Sequence, residues 1–200
     1  MTKIELSTEE KILQAAVEVF VRDGYDGSRM QDIADLAGIN KALLHYYFRS
    51  KDKLFERVFD EKVQSFFPQM SEILAQEISF IEKIDFFIEG YIKLLLKNPF
   101  IPLFVLNTVN KKDKQDFIQK MPLDIMRKAT ESYYQDLQKR QIRELNPMQF
   151  MMSLMGMCVF PFLAKPIMLR SFNATNEMFE YMMLARIDEL KKYVRLILNP

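Results

Sequence analysis

The chain has 200 residues, 49% of them apolar or aromatic, and its 28 basic against 27 acidic side chains leave a formal charge of +1. That apolar content excludes an intrinsically disordered chain, and the charge balance excludes both a polybasic RNA coat and an acidic tail protein. The single cysteine, Cys158, forbids an internal disulfide and points to a reducing cytoplasm, and the charged first 20 residues hold no signal-peptide core.

The predicted elements are helical almost throughout. Ser7 and Glu10 form a capping box ahead of the stripe Ile12, Leu13, Ala16, Val17 and Phe20, and Gly24 supplies a stop. Ser28 and Gln31 read as a second capping box, followed by Met30, Ile33, Ala34 and Ala37 at helical spacing and by Gly38 as terminator. Asn40 caps a third helix from Lys41 to Phe48, and Ser50 caps a fourth carrying Leu54, Phe55, Val58 and Phe59. Further helices are predicted over Ser79–Asn98, Pro102–Asn110, Pro122–Arg143, Pro147 to about Lys165, and Thr175–Leu198. No alternating β-branched run with an Asn-Gly or Asp-Gly turn occurs, so a sheet is rejected and the fold class is all-α.

Composition changes along the chain. Gly24, Gly27 and Gly38 fall in the first 40 residues, whereas the first proline is Pro68 and methionine and phenylalanine concentrate beyond residue 50. A three-helix head over residues 6–66, including the start of a linking helix, is therefore expected to be continuous with a larger body over residues 67–200.

The informative segment runs from Gly27 to Phe55. Two short helices joined by Ala37-Gly38-Ile39-Asn40 make a helix-turn-helix, in which the second helix is free to enter a major groove. Ile33, Ala34, Ala37, Ile39, Leu44 and Phe48 are the expected small core. The other face of the third helix offers Lys41, Ala42, Leu43, His45 and Tyr46, which suit phosphate contact, close approach and base-edge hydrogen bonding. Positive charge gathers locally in Lys41, Arg49, Lys51, Lys53 and Arg57.

This stretch resembles the DNA-binding domain of the TetR family of transcriptional regulators (TetR/AcrR type). The resemblance is carried by Ala15-Ala16, Phe20, Gly24-Tyr25, Ser28, Ile33-Ala34, Ala37-Gly38-Ile39-Asn40, Leu44, Tyr47-Phe48, Ser50-Lys51 and Leu54. It covers about residues 7 to 60. Asn40 stands where serine is usual, Ala42 where glycine is frequent, and His45 where tyrosine is common. The resemblance implies double-stranded DNA, as a palindromic operator, for a partner. It implies that Ser28 and Arg29 open the second helix, where backbone N–H groups and the helix dipole hold a phosphate, that Lys41, Ala42 and Leu43 lie at the mouth of the recognition helix, and that His45 and Tyr46 face bases or backbone. It implies phosphate contacts also at Tyr47, whose alternative is half-buried packing, and at Lys51.

In that family the body binds a ligand and dimerises. The Met- and Phe-rich composition suggests a small hydrophobic occupant, with Phe86, Phe87, Tyr91, Phe104, Phe117, Tyr133, Met151 and Met155 as candidate lining. Phe162, Phe179, Met183, Ile187, Leu190 and Val194 are the candidate homodimer interface, which would place two heads about 34–36 Å apart. The uncharged run Leu145–Ala164 is long enough to touch the length of a membrane span, but its prolines, Asn146 and Gln149 favour a buried helix. Cys158 in that run reads as a small hydrophobe. No phosphate-cradling glycine loop, metal-ligand cluster or body histidine is present, so no enzyme, cofactor, metal or membrane association is expected. The reading is a cytoplasmic homodimeric regulator, a repressor released from its operator by a hydrophobic ligand. The alternative is a helical lipophile-binding or protein-interaction module without operator binding.

Overall fold

A computed structural model of the chain describes residues 6–109 and 123–200. Among the described residues it contains ten helices and no strand. We number them α1 (Thr8–Gly27), α2 (Met30–Ala37), α3 (Lys41–Tyr47), α4 (Lys51–Ala75), α5 (Phe80–Lys97), α6 (Ile101–Val109), α7 (Leu123–Gln138), α8 (Pro147–Leu163), α9 (Lys165–Ser171) and α10 (Asn176–Leu198). The chain divides into two compact units, Met1–Ser65 and Phe66–Pro200, with the division inside α4.

In the first unit, α1 opens on the predicted capping box. The Ser7 N–H donates to Glu10 at 2.8 Å, and the Glu10 N–H donates to Ser7 Oγ at 3.2 Å. The Ser7 N–H, with help from the Ser7 hydroxyl, holds the Glu10 carboxyl below the usual carboxylate range. The buried stripe is Ile12, Leu13, Ala15, Ala16, Val19 and Phe20. Gly24 does not stop the helix as expected. It breaks the helix at φ 70° and ψ 175°, a left-handed φ that glycine tolerates, and one more helical turn follows to Gly27. The second capping box does not form either. The N-cap of α2 is Arg29 and makes no side-chain capping bond, because the Ser28 hydroxyl turns inward and donates to the Tyr25 carbonyl at 2.7 Å.

Gly38 ends α2 at φ 69°, and the Ile39 N–H closes back on the Ala34 carbonyl at 3.0 Å. Asn40 then caps α3, its Oδ1 accepting from the Leu43 N–H at 2.8 Å. The unit's core joins Ile33, Ala34 and Leu44 to Leu54, Phe55 and Val58 of α4. Phe20 and Phe55 meet at a centroid distance of 4.6 Å. Ala37 and Ile39, expected in this core, are half-buried.

In the second unit α5 is central. Ser79 and Glu82 cap it with a capping box, and α10 packs along it. Two polar ties fix that pair: Lys191 to Glu89 at 2.8 Å, and Arg195 to Asp85. Helix α7 ends at Gln138, five residues before the predicted end. Arg140 takes a left-handed φ of 57°, and the Gln141 N–H closes back on the Asp136 carbonyl at 3.0 Å. Helix α9 follows α8 at a bend of 64°. No single helix among the described residues is long and apolar enough to cross a membrane, although the bent pair α8–α9 is so in combination. The uncharged run packs inward through Phe150, Met151, Leu154, Cys158 and Phe162.

Candidate nucleic-acid interface

The third helix is short, and its burial is one-sided. Only Leu44 within it is buried, and Phe48 just after it, which together fix the helix against its neighbours. Lys41, Ala42, Leu43, His45, Tyr46 and Tyr47 are all exposed. Their chemistry therefore faces outward: an ammonium, a methyl, an isobutyl group, an imidazole and two phenols within seven residues. Tyr46 and Tyr47 meet edge to face at 5.6 Å, so the two rings brace each other on the surface.

The cations around this helix differ in how they are used. Lys53 pairs with Glu56 at 2.8 Å, and Arg57 lies 3.5 Å from Glu9. The Lys51 ammonium donates to the Tyr25 carbonyl at 2.7 Å and to the Ser28 carbonyl at 3.0 Å. Arg29, Lys41 and Arg49 are exposed and have no polar side-chain partner among the described residues. These three are the cations left for an external anion such as a DNA phosphate.

Two of the sequence-assigned DNA contacts are thus placed differently from the rest. Ser28 is 3% exposed and its hydroxyl bonds inside the unit, so the side chain is withheld from an outside phosphate. Lys51 is half-buried and joins the end of α1 to the start of α2. The Tyr25 hydroxyl in turn bonds to Asp52, and the Tyr25 ring stands edge-on to Phe55 at 5.1 Å. Sequence reasoning missed this latch. Its signal was the pairing of Tyr25 behind Gly24 with the adjacent charges Lys51 and Asp52, which suits a partly buried turn.

The candidate pocket residues scatter. Phe87 and Tyr91 stack at 5.2 Å, and Phe66 completes the cluster. Phe104 and Met151 are buried, and Met155 is half-buried. Phe86 is 50% exposed and stands apart from that cluster. Tyr133 is fully buried as a loop anchor: its hydroxyl donates to the Leu145 carbonyl at 2.8 Å and accepts from the Leu145 N–H at 2.6 Å. Phe117 lies outside the described residues.

The six candidate dimer residues require a correction of face. Phe162, Phe179, Met183, Ile187, Leu190 and Val194 are all buried within the single chain, because this stripe of α10 and the end of α8 supply the body's own core. Phe162 and Phe179 meet edge to face at 5.7 Å inside it. The large apolar side chains left outside are Met148, Met152 and Phe160 on α8, and Met178, Tyr181, Leu184, Tyr193, Leu196 and Ile197 on α10.

A cleft of about 770 Å³ opens beside the turn between α4 and α5, facing α7. It is lined mostly by polar groups, among them Lys83, Ser132 and Asp136, and by none of the seven described candidate pocket residues. Burial holds the Lys83 ammonium below the usual lysine range, against the opposing pull of Asp136.

The family of bacterial regulatory proteins, tetR family, matches residues 12–58, the segment that builds the first unit. The HTH-type transcriptional repressor NicS of Pseudomonas putida is 44% identical over 59 residues, which are 30% of this chain and 28% of NicS. The fatty acid metabolism regulator protein of Bacillus subtilis is 32% identical over 85 residues, 42% of this chain and 44% of that protein. The chain thus spans less than half the length of these curated relatives. Among solved structures, the TetR-family regulator PfmR of Thermus thermophilus superposes with a TM-score of 0.68 at 17% identity, covering 93% of this chain and 96% of its own. FadR of Bacillus subtilis, solved in complex with stearoyl-CoA, gives 0.59 at 20% identity, with 88% and 96% covered. A head matched by sequence and an all-helical fold matched by shape lead to one conclusion: the first unit carries the DNA-binding segment of the TetR family of bacterial regulatory proteins, within a fold shared with regulators of the TetR/AcrR type.

Proposed function

We propose that the protein is a sequence-specific DNA-binding repressor that acts as a homodimer on a palindromic operator and is released by a small hydrophobic ligand. The observation that carries the DNA-binding reading is the outward face of α3, where Lys41, His45, Tyr46 and Tyr47 are exposed together above a buried Leu44. Arg29 and Arg49 flank that face and supply phosphate partners. The dimer is supported by the exposed apolar stripes on α8 and α10, which a second copy would cover. The ligand reading is supported by the Phe66–Phe87–Tyr91 cluster and by the stearoyl-CoA complex of FadR, a protein of the same fold.

Operator binding is tested by gel retardation with the DNA upstream of the protein's own gene. His45→Ala and Tyr46→Ala each remove a side chain that reaches a base edge, at a cost of about 1–3 kcal/mol per base, and should relax preference at particular positions. Lys41→Ala is expected to weaken all sequences alike and to lower the salt slope by about one. Unchanged operator affinity in all three variants refutes the assignment of the recognition helix. Ligand and operator must weaken each other by the same factor. A compound that stabilises the protein yet leaves operator affinity unchanged refutes the release mechanism alone.

A further inference from the structure

We propose that the cleft beside the α4–α5 turn binds a small polar organic acid, whose carboxylate is held by the ammonium of Lys83 and the hydroxyl of Ser132. This site is separate from the aromatic cluster and goes beyond the regulator reading, which stands or falls without it.

Lys83 is 5% exposed, yet no carboxylate lies within ion-pair reach of it among the described residues. Its one hydrogen bond is to Ser132 Oγ, at 3.0 Å. The nearby Asp136 is already engaged: one carboxylate oxygen accepts the Phe80 N–H at 2.7 Å, and the other lies 3.9 Å from Lys139. Two ammonium N–H groups of Lys83 therefore remain without an acceptor among the described residues, on a residue that lines the cleft. A buried charge with unmet donors is destabilising, so an anionic partner in the cleft would satisfy what the fold leaves open. Ser132 accepts from Lys83 and keeps its own O–H for donation, so the two residues offer converging donors to one pair of oxygens.

The rest of the cleft sets the class of ligand. Gln76, Gln135 and Gln141 line it with amides, Glu77 and Glu131 add carboxylates alongside the ammonium groups of Lys128 and Lys139, and Leu74 and Ile78 add a small apolar wall. Such a lining suits a hydroxyl- or amide-bearing body rather than an alkyl tail. The volume of about 770 Å³ lies in the range of small-molecule sites. Asp136, itself buried, stands beside Lys83 and repels a second negative charge, which favours a monoanionic carboxylate over a phosphate dianion.

The test uses the full chain, with 4-hydroxybutyrate and gluconate as probes, their uncharged amides and sodium chloride as controls, and inorganic phosphate as the competing anion. Thermal shift and isothermal titration are read on wild type, Lys83→Met, Lys83→Gln and Ser132→Ala, each checked for an unchanged helical circular dichroism spectrum. The expected result is that at least one hydroxy acid raises the melting temperature and binds wild type with millimolar or better affinity. Lys83→Met and Lys83→Gln weaken that binding tenfold or more, and Ser132→Ala weakens it severalfold. The proposal is overturned if neither acid exceeds sodium chloride, if the amides bind equally well, if the Lys83 variants bind like wild type, or if phosphate binds better than both acids.

Discussion

The ammonium of Lys51 lies 4.4 Å from the centre of the Tyr25 ring and also donates to the carbonyl oxygen of the same residue at 2.7 Å. One cation thus grips both ends of a tyrosine, 26 residues away in sequence, and reaches the Ser28 carbonyl as well. Together these interactions tie the last turn of α1 and the entry to α2 onto the start of α4.

Replacing Lys51 by Met should therefore act first on stability. The change removes two charge-assisted bonds and a cation–π interaction, and partial exposure limits the cost to about 2–3 kcal/mol. Chemical denaturation of the variant checks this. Operator affinity is expected to fall with the salt slope unchanged, unlike Lys41→Ala, because Lys51 uses its charge inside the protein.

The proposed dimer face gives a paired prediction. Phe160→Glu combined with Leu184→Glu changes side chains that are 65% and 43% exposed, so the monomer fold should survive while light scattering shows dissociation. Leu190→Ala, at a fully buried position, should instead destabilise the fold by about 2–5 kcal/mol through the cavity it leaves.

Acid should loosen the tie between α5 and α10. Glu89 accepts from Lys191 at 2.8 Å and from Lys93 at 2.6 Å, and chiefly the Lys191 bond pulls its carboxyl down to about 2. The folded value lies below the unfolded one of 4.5, so the stabilisation is complete above about pH 4.5 and is lost as pH falls from there toward 2. Glu89 is 40% exposed, and solvent screening holds the effect to about 0.5–1 kcal/mol. Glu89→Gln should cost that amount at pH 7 and flatten the decline in stability between pH 4.5 and 2.

Cys158 should be silent toward thiol reagents. It is fully buried, and burial pushes its thiol up to about 12. A disulfide exchange reagent at pH 8 is expected to label it only when denaturant is added. The raised value also predicts a loss of stability as pH climbs from about 9, the ordinary thiol value, toward 12.

Much of the head was legible because its signals are local. Ser7, Gly38 and Asn40 act through bonds three to five residues away, so both partners stand close together in the chain. Ser28 shows where that logic ends. It has the spacing of a capping box, but a lysine from 23 positions later completes the turn differently and the hydroxyl turns inward. The body was legible in its helices and less so in their ends. The end of α7 rests on Arg140 in a left-handed conformation, a place where sequence reading looks for glycine or asparagine. The stripe on α10 has the right period, but period alone does not say whether the partner is the same chain or another copy. Lys83 was invisible for the same reason, since its burial depends on Ser132, 49 residues away.

Tyr133 carries a consequence for how the chain tolerates change in length. Its single phenolic oxygen serves both the N–H and the carbonyl of Leu145, and so fixes the span from 133 to 145 from the inside. The connection between α7 and α8 is then a measured loop rather than slack. Inserting or deleting one residue between Arg140 and Leu145 would bring a different peptide unit to the phenol, shift the Asn146 cap, and start α8 about 100° out of phase. Its buried stripe would turn outward as a whole. Along this stretch single-residue substitutions should be absorbed far more readily than any change in residue number.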